Sequence, residues 1–84
     1  MENYTTYETK NCSNQTYELI TWMDQNVRMH TTKEGCYFTI SRQECRSAAI
    51  RIFGNIKSLS TRISTAMHIY RQMNEMSKDK LRWC

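Results

Sequence analysis

The chain has 84 residues, of which 39% are hydrophobic and 24% charged, with no proline, two glycines and a formal net charge of +4. A domain of this length buries only about 60 to 65% of the surface its unfolded chain exposes, so its core is thin and support from self-association or a partner is expected. The rarity of chain breakers excludes a disordered chain. No apolar run is longer than that of Ala48, Ala49 and Ile50, which excludes a membrane span or a signal-peptide core.

Glu2 stands where myristoylation needs glycine, and Cys84 is last rather than fourth from the end, so no lipid anchor is expected. These features point to a cytoplasmic protein. In a reducing compartment Cys12, Cys36, Cys45 and Cys84 read as free thiols, with Cys36 and Cys45 acting as small apolar side chains. The sequons at Asn3, Asn11 and Asn14 are then chance occurrences.

The whole chain, 1–84, reads as a single domain with two halves of opposite charge. Residues 1–40 carry more acids than bases and net −2, whereas residues 41–84 net +6, together the +4 of the chain. Such asymmetry points to a surface that meets something negative.

The first half is rich in Thr and Tyr and holds Trp22, residue types that suit a pleated sheet. Residues 16–23 alternate, with Tyr17, Leu19, Thr21 and Met23 on one side, and Asp24-Gln25-Asn26 supplies turn residues. Residues 27–31 continue the alternation, Lys33-Glu34-Gly35 reads as a hairpin loop, and residues 36–40 form a β-rich run. The expectation is a three-stranded antiparallel meander, with residues 4–9 as a fourth strand. A helix over residues 14–30 is the alternative, because Leu19, Ile20, Met23 and Val27 also share a helical face.

In the second half, Ser41-Arg42-Gln43-Glu44 is a capping box that starts a helix. From Cys45 onward Ala49, Ile52, Ile56, Leu59, Ile63, Ala66, Tyr70 and Met73 follow steps of three and four, one continuous helical stripe. The predicted fold class is therefore α+β: an N-terminal meander packed on a long C-terminal helix spanning about residues 42–78. A break near Gly54 is the alternative, with Gly54-Asn55 ending one helix and Ser58 or Ser60 capping the next. The resulting order of strand, helix, glycine turn and helix over residues 36–76 resembles ribbon-helix-helix repressors in element order, which implies a strand-mediated dimer that binds DNA. The strand Cys36-Tyr37-Phe38-Thr39-Ile40 departs from that pattern, lacking the long polar side chains that read bases.

Between Cys45 and Asn74 the chain has Arg46, Arg51, Lys57, Arg62 and Arg71 and no carboxylate. On one rod these would form a basic, hydroxyl-lined back suited to phosphate oxygens or to a carboxylate-rich protein surface. Lys78 extends that face and Trp83 is a candidate anchor, tryptophan and arginine being frequent binding hot spots.

The spacings of Cys12, His30, Cys36, Cys45, His68 and Cys84 match no zinc motif, and neither a phosphate-binding glycine loop nor a nucleophile elbow occurs. No metal, cofactor or catalytic residue is expected. The expected function is that of a small non-enzymatic regulator or inhibitor docking its basic helical face on an acidic protein surface. Binding to the nucleic-acid backbone is the alternative, and homodimerisation is compatible with both.

Overall fold

The computed structural model describes residues 13–84. The element order is α1 (Asn14–Asn26), β1 (Arg28–Thr32), β2 (Gly35–Ile40), α2 (Arg42–Phe53), α3 (Leu59–Met73) and β3 (Leu81–Trp83). The domain is thus α+β, but the expected N-terminal meander on one long helix is not found. A mixed three-stranded sheet in the order β1-β2-β3 stands with three helices instead. The fourth strand expected over residues 4–9 lies outside the described residues.

Residues 16–23 are helical rather than extended, and burial shows why. Thr16, Leu19, Ile20 and Met23 are buried, a spacing of three and four that only a helix brings to one side. A strand would have placed Tyr17 with Leu19 and Met23, yet Tyr17 is 47% exposed. Ser13 starts α1, its hydroxyl accepting from the Thr16 amide at 3.1 Å. Val27 ends it in an extended conformation that leads directly into β1.

β1 and β2 form an antiparallel hairpin closed by Lys33 and Glu34, with Thr32 opposite Gly35. Gly35 has φ of 136°, a value open to glycine and strained for other residues. β3 joins the other side of β2 in parallel, Phe38 aligning with Leu81 and Ile40 with Trp83. Parallel strands need a long crossover, and α2 with α3 supplies it. Because β2 lies between two strands of its own subunit, it has no free edge to form the intersubunit ribbon that the ribbon-helix-helix likeness implied.

The expected rod over residues 42–78 is two helices, as in the alternative of a break near Gly54. The capping box is half realised: the Ser41 hydroxyl accepts from the Glu44 amide at 3.2 Å and begins α2. Gly54, at φ 87°, ends it, its amide still donating to the Ile50 carbonyl at 2.9 Å. α3 follows Ser58. The eight-residue apolar stripe is therefore two shorter ones. Ala49, Leu59, Ile63, Ala66 and Tyr70 are buried, whereas Ile56 lies exposed in the break between the helices.

One core joins the layers. Leu19 and Met23 of α1, Ile40 of β2, Cys45 and Ala49 of α2, Ala66 of α3 and Leu81 of β3 are all fully buried in it. Tyr70 ties α3 to α1 by donating its hydroxyl to Asp24 Oδ1 at 2.9 Å. Burial, that hydrogen bond and the Asp24 charge together push the Tyr70 phenol well above its ordinary range. Burial likewise pushes the Cys45 thiol up to about 11, with the Arg42 charge pulling weakly the other way.

Candidate functional site

Side chains alternate along a strand, so residues 38, 40, 81 and 83 share the face of the sheet that meets the helices. The opposite face carries Arg28, His30 and Thr32 from β1, Tyr37 and Thr39 from β2, and Arg82 from β3. Arg28, Thr32 and Arg82 are exposed, His30 and Tyr37 half-buried.

Three of these side chains form a column across all three strands. His30 and Tyr37 are directly opposite in the hairpin register, and their rings stack with centroids 4.7 Å apart and planes 12° from parallel. The Arg82 guanidinium lies over the Tyr37 ring, 4.1 Å from its centroid. His30 Nε2 is 2.7 Å from the Thr39 hydroxyl, which fixes the ring's rotation. Arg82 donates its Nε–H to the Asp79 carbonyl at 2.9 Å. Its terminal nitrogens have no hydrogen-bond partner among the described residues, so a preoriented fork of donors faces solvent. Arg28 and Arg82 both align with Thr39, which places their Cα atoms two strand spacings apart, about 9.6 Å. None of the three strands contains a carboxylate. The face is cationic and hydrogen-bond rich.

The basic residues expected on one helical back are distributed over several elements. Arg46 and Arg51 are exposed on α2, Lys57 is exposed in the α2–α3 connection and Lys78 is exposed before β3. The remaining two are engaged within the fold. Arg62 donates Nε–H to the Ser58 hydroxyl at 3.1 Å and lies over the Phe53 ring. Arg71 donates Nε–H to the Leu81 carbonyl at 2.9 Å. Trp83 is not a free C-terminal anchor: it belongs to β3, half-buried against the core, with the Arg42 guanidinium over its ring. The exposed side of α3 retains the hydroxyls Ser60, Thr61, Ser64 and Thr65 beside His68, lining a shallow depression.

A second concavity lies between α1 and α2. Tyr17, Glu18, Thr21, Trp22, Arg51 and Ile52 line a groove of about 550 Å³, bridged at one end by Gln15 Nε2 donating to the Ile52 carbonyl at 3.1 Å. Among the described residues no three of His, Cys, Asp and Glu converge in a way that could hold a metal ion. No helix among them is long and apolar enough to cross a membrane. Cys36, Cys45 and Cys84 are free thiols, and Lys80 Nζ is 3.8 Å from Cys36 Sγ.

Sequence reasoning missed the sheet face because its members come from both charge halves. The hairpin register brings His30 to Tyr37, and alternation within residues 27–31 already put Arg28 and His30 on one side. No local signal announces Arg82, which arrives by parallel pairing after the long helical crossover. Comparison with known protein families, curated proteins and solved structures returns no match.

Proposed function

We propose that the protein binds nucleic acid through the outer face of its sheet, with Arg82 and Arg28 contacting phosphate oxygens. The observation that carries this reading is the His30–Tyr37–Arg82 column, which holds a guanidinium fork in place on strands free of carboxylates. Arginine forks match phosphate oxygens, and holding the side chain in advance reduces the entropy lost on binding. The upright rings are stacked on one another, so Tyr37 does not offer its face to a base. Contact with the backbone, largely independent of sequence, is the mode that fits.

The expectation of a basic helical back docking on an acidic protein rested on a single rod, which is two helices, and Arg71 is turned to the Leu81 carbonyl. A regulator or inhibitor role keeps one specific support, the α1–α2 groove, where Tyr17, Trp22 and Arg51 are of the residue types that dominate protein-binding hot spots.

Two phosphate contacts per copy give a log–log salt slope of about −2 on duplex DNA, and affinities in the range of about 10⁻⁴ to 10⁻⁶ M. Fluorescence anisotropy of labelled duplex and single-stranded oligonucleotides, at low and at near-physiological salt, tests this. Arg82→Ala is expected to reduce the slope by about one contact and weaken all sequences alike. Binding that is absent at low salt, or unchanged in the Arg28→Ala/Arg82→Ala double variant, would refute the assignment.

A further inference from the structure

The backbone of the hairpin determines which groups point away from the sheet. The Phe38 amide donates across to the Lys80 carbonyl at 2.7 Å, so Phe38 is directed at β3. Strand alternation then directs Tyr37 and Thr39 at β1, where they form hydrogen-bonded pairs with His30 and Arg28. Met29 and Thr31 must therefore turn their N–H and C=O groups outward. Among the described residues none of these groups has a backbone partner on that side. Of the usual protections of an edge, β1 has a charge only at its first residue, Arg28; it has no proline and no bulge, and its register with β2 is continuous. Met29 is 64% exposed, more than any other large hydrophobic side chain described.

We propose that two copies of this chain pair antiparallel along β1, about a two-fold axis at His30, and join their sheets into one of six strands. This register is the one that uses every outward group. Met29 of one copy and Thr31 of the other form a hydrogen-bonded pair on each side of the axis, so both N–H and both C=O groups of each strand are satisfied. Moving the axis to Met29 sets Thr31 against Val27, outside the strand, and moving it to Thr31 sets Met29 against the Lys33 turn. Charge favours the same choice. Arg28 falls opposite Thr32 of the second copy, and the two Arg28 residues end about 14 Å apart along the ribbon, four residues at the antiparallel rise. The two Met29 side chains flank the axis on one face and shield each other from water.

The pairing follows from backbone geometry alone, but it has a consequence for the proposed nucleic-acid face and there rests on that reading. His30 meets His30 of the second copy as a non-hydrogen-bonded pair, the closer type. The column Arg82–Tyr37–His30 then continues into its symmetry mate, and the number of phosphate contacts doubles.

Sedimentation velocity of the full chain over concentrations from about 1 to 500 µM tests the pairing, since association shifts with concentration. The expected result is a dimer at the upper end. Thr31→Pro removes an outward amide that the hairpin does not use and should give a monomer with unchanged circular dichroism. Met29→Lys, which sets like charges across the axis, should weaken association at least tenfold and serves if the proline variant misfolds. A wild-type chain that stays monomeric throughout, or a dimer that either folded variant leaves intact, overturns the proposal. Thr31→Pro retains Arg28 and Arg82, so its salt slope should fall by about half rather than vanish. Loss of nucleic-acid binding with the dimer intact would count against the nucleic-acid reading alone.

Discussion

The two edges of the sheet are built differently. At β3, the Leu81 amide donates to the Ser77 carbonyl at 3.2 Å and the Leu81 carbonyl accepts from Arg71 Nε at 2.9 Å, so the first residue of that edge is closed from within, while the outward groups of Trp83 have no partner among the described residues. At β1, the equivalent groups of Met29 and Thr31 have no partner among the described residues. An exposed row of peptide groups invites another strand, and proteins usually cover or charge such rows. One edge of this domain is half closed by a side chain from a helix and the other is open along its length, an asymmetry that makes β1 the stronger site for strand pairing.

The largest expected effect comes from removing what anchors the half-closed edge. Leu81 is fully buried in the shared core. Leu81→Ala should destabilise the domain by about 2 to 5 kcal/mol, measured by urea unfolding, because it leaves a cavity as well as losing apolar contact. In a domain this small that approaches the total stability. Met29→Ala, at the available edge, should leave the melting of a dilute, monomeric sample nearly unchanged, since Met29 is mostly exposed there.

Alkaline pH loosens the same anchor more gradually. Cys45 shares the core with Leu81, and burial raises its thiol from 9.0 to about 11. Between those values the unfolded chain releases the thiol proton while the folded chain keeps it, so the folded state binds more protons and stability falls as pH rises. The contribution is complete below pH 9 and lost through pH 11, a span of two units or roughly 2 to 3 kcal/mol. Tyr70, whose phenol is raised from 10.0 by burial and by Asp24, acts in the same direction from about pH 10 upward and so overlaps the upper part of that window. Cys45→Ala should therefore flatten the decline in urea midpoints between pH 9 and 11 and leave the Tyr70 contribution intact.

The difference between the edges also marks what could be read from the sequence. The hairpin was legible, because Lys33-Glu34-Gly35 lies between two β-rich runs, and so was the start of α2 at Ser41. The helix over Asn14–Asn26 was legible only as an alternative. Alternation and helical spacing both fit Leu19, Ile20 and Met23, and the arbiter is tertiary: Thr16 and Ile20 are buried where Tyr17 and Thr21 are not. The unbroken rod was misread because three-four spacing persists through Ile56, although Gly54 adopts a positive φ that stops the helix. A heptad pattern counts residues and cannot register a turn whose length preserves the phase. β3 had no local signature, being three residues long and paired only through the crossover, so Arg71 was read as a free cation when its role is to close that strand.

Arg71→Ala addresses that role directly and should have a smaller effect on folding than Leu81→Ala or the pH change. The lost bond is charge-assisted but its donor is only half-buried, so a cost of about 1 kcal/mol is expected, below the range for fully desolvated pairs. Its effect on association should exceed its effect on stability. With the Leu81 carbonyl released, the β3 edge offers that acceptor beside the outward groups of Trp83, and a chain with two pairing edges extends rather than closes. Sedimentation of Arg71→Ala should show species larger than a dimer that increase with concentration. Combining it with Thr31→Pro should return the protein to dimers joined through β3, because each variant opens or blocks one edge independently. A variant that unfolds no more easily yet forms no larger species would mean that the α3 helix itself, rather than the arginine, keeps the second edge shut.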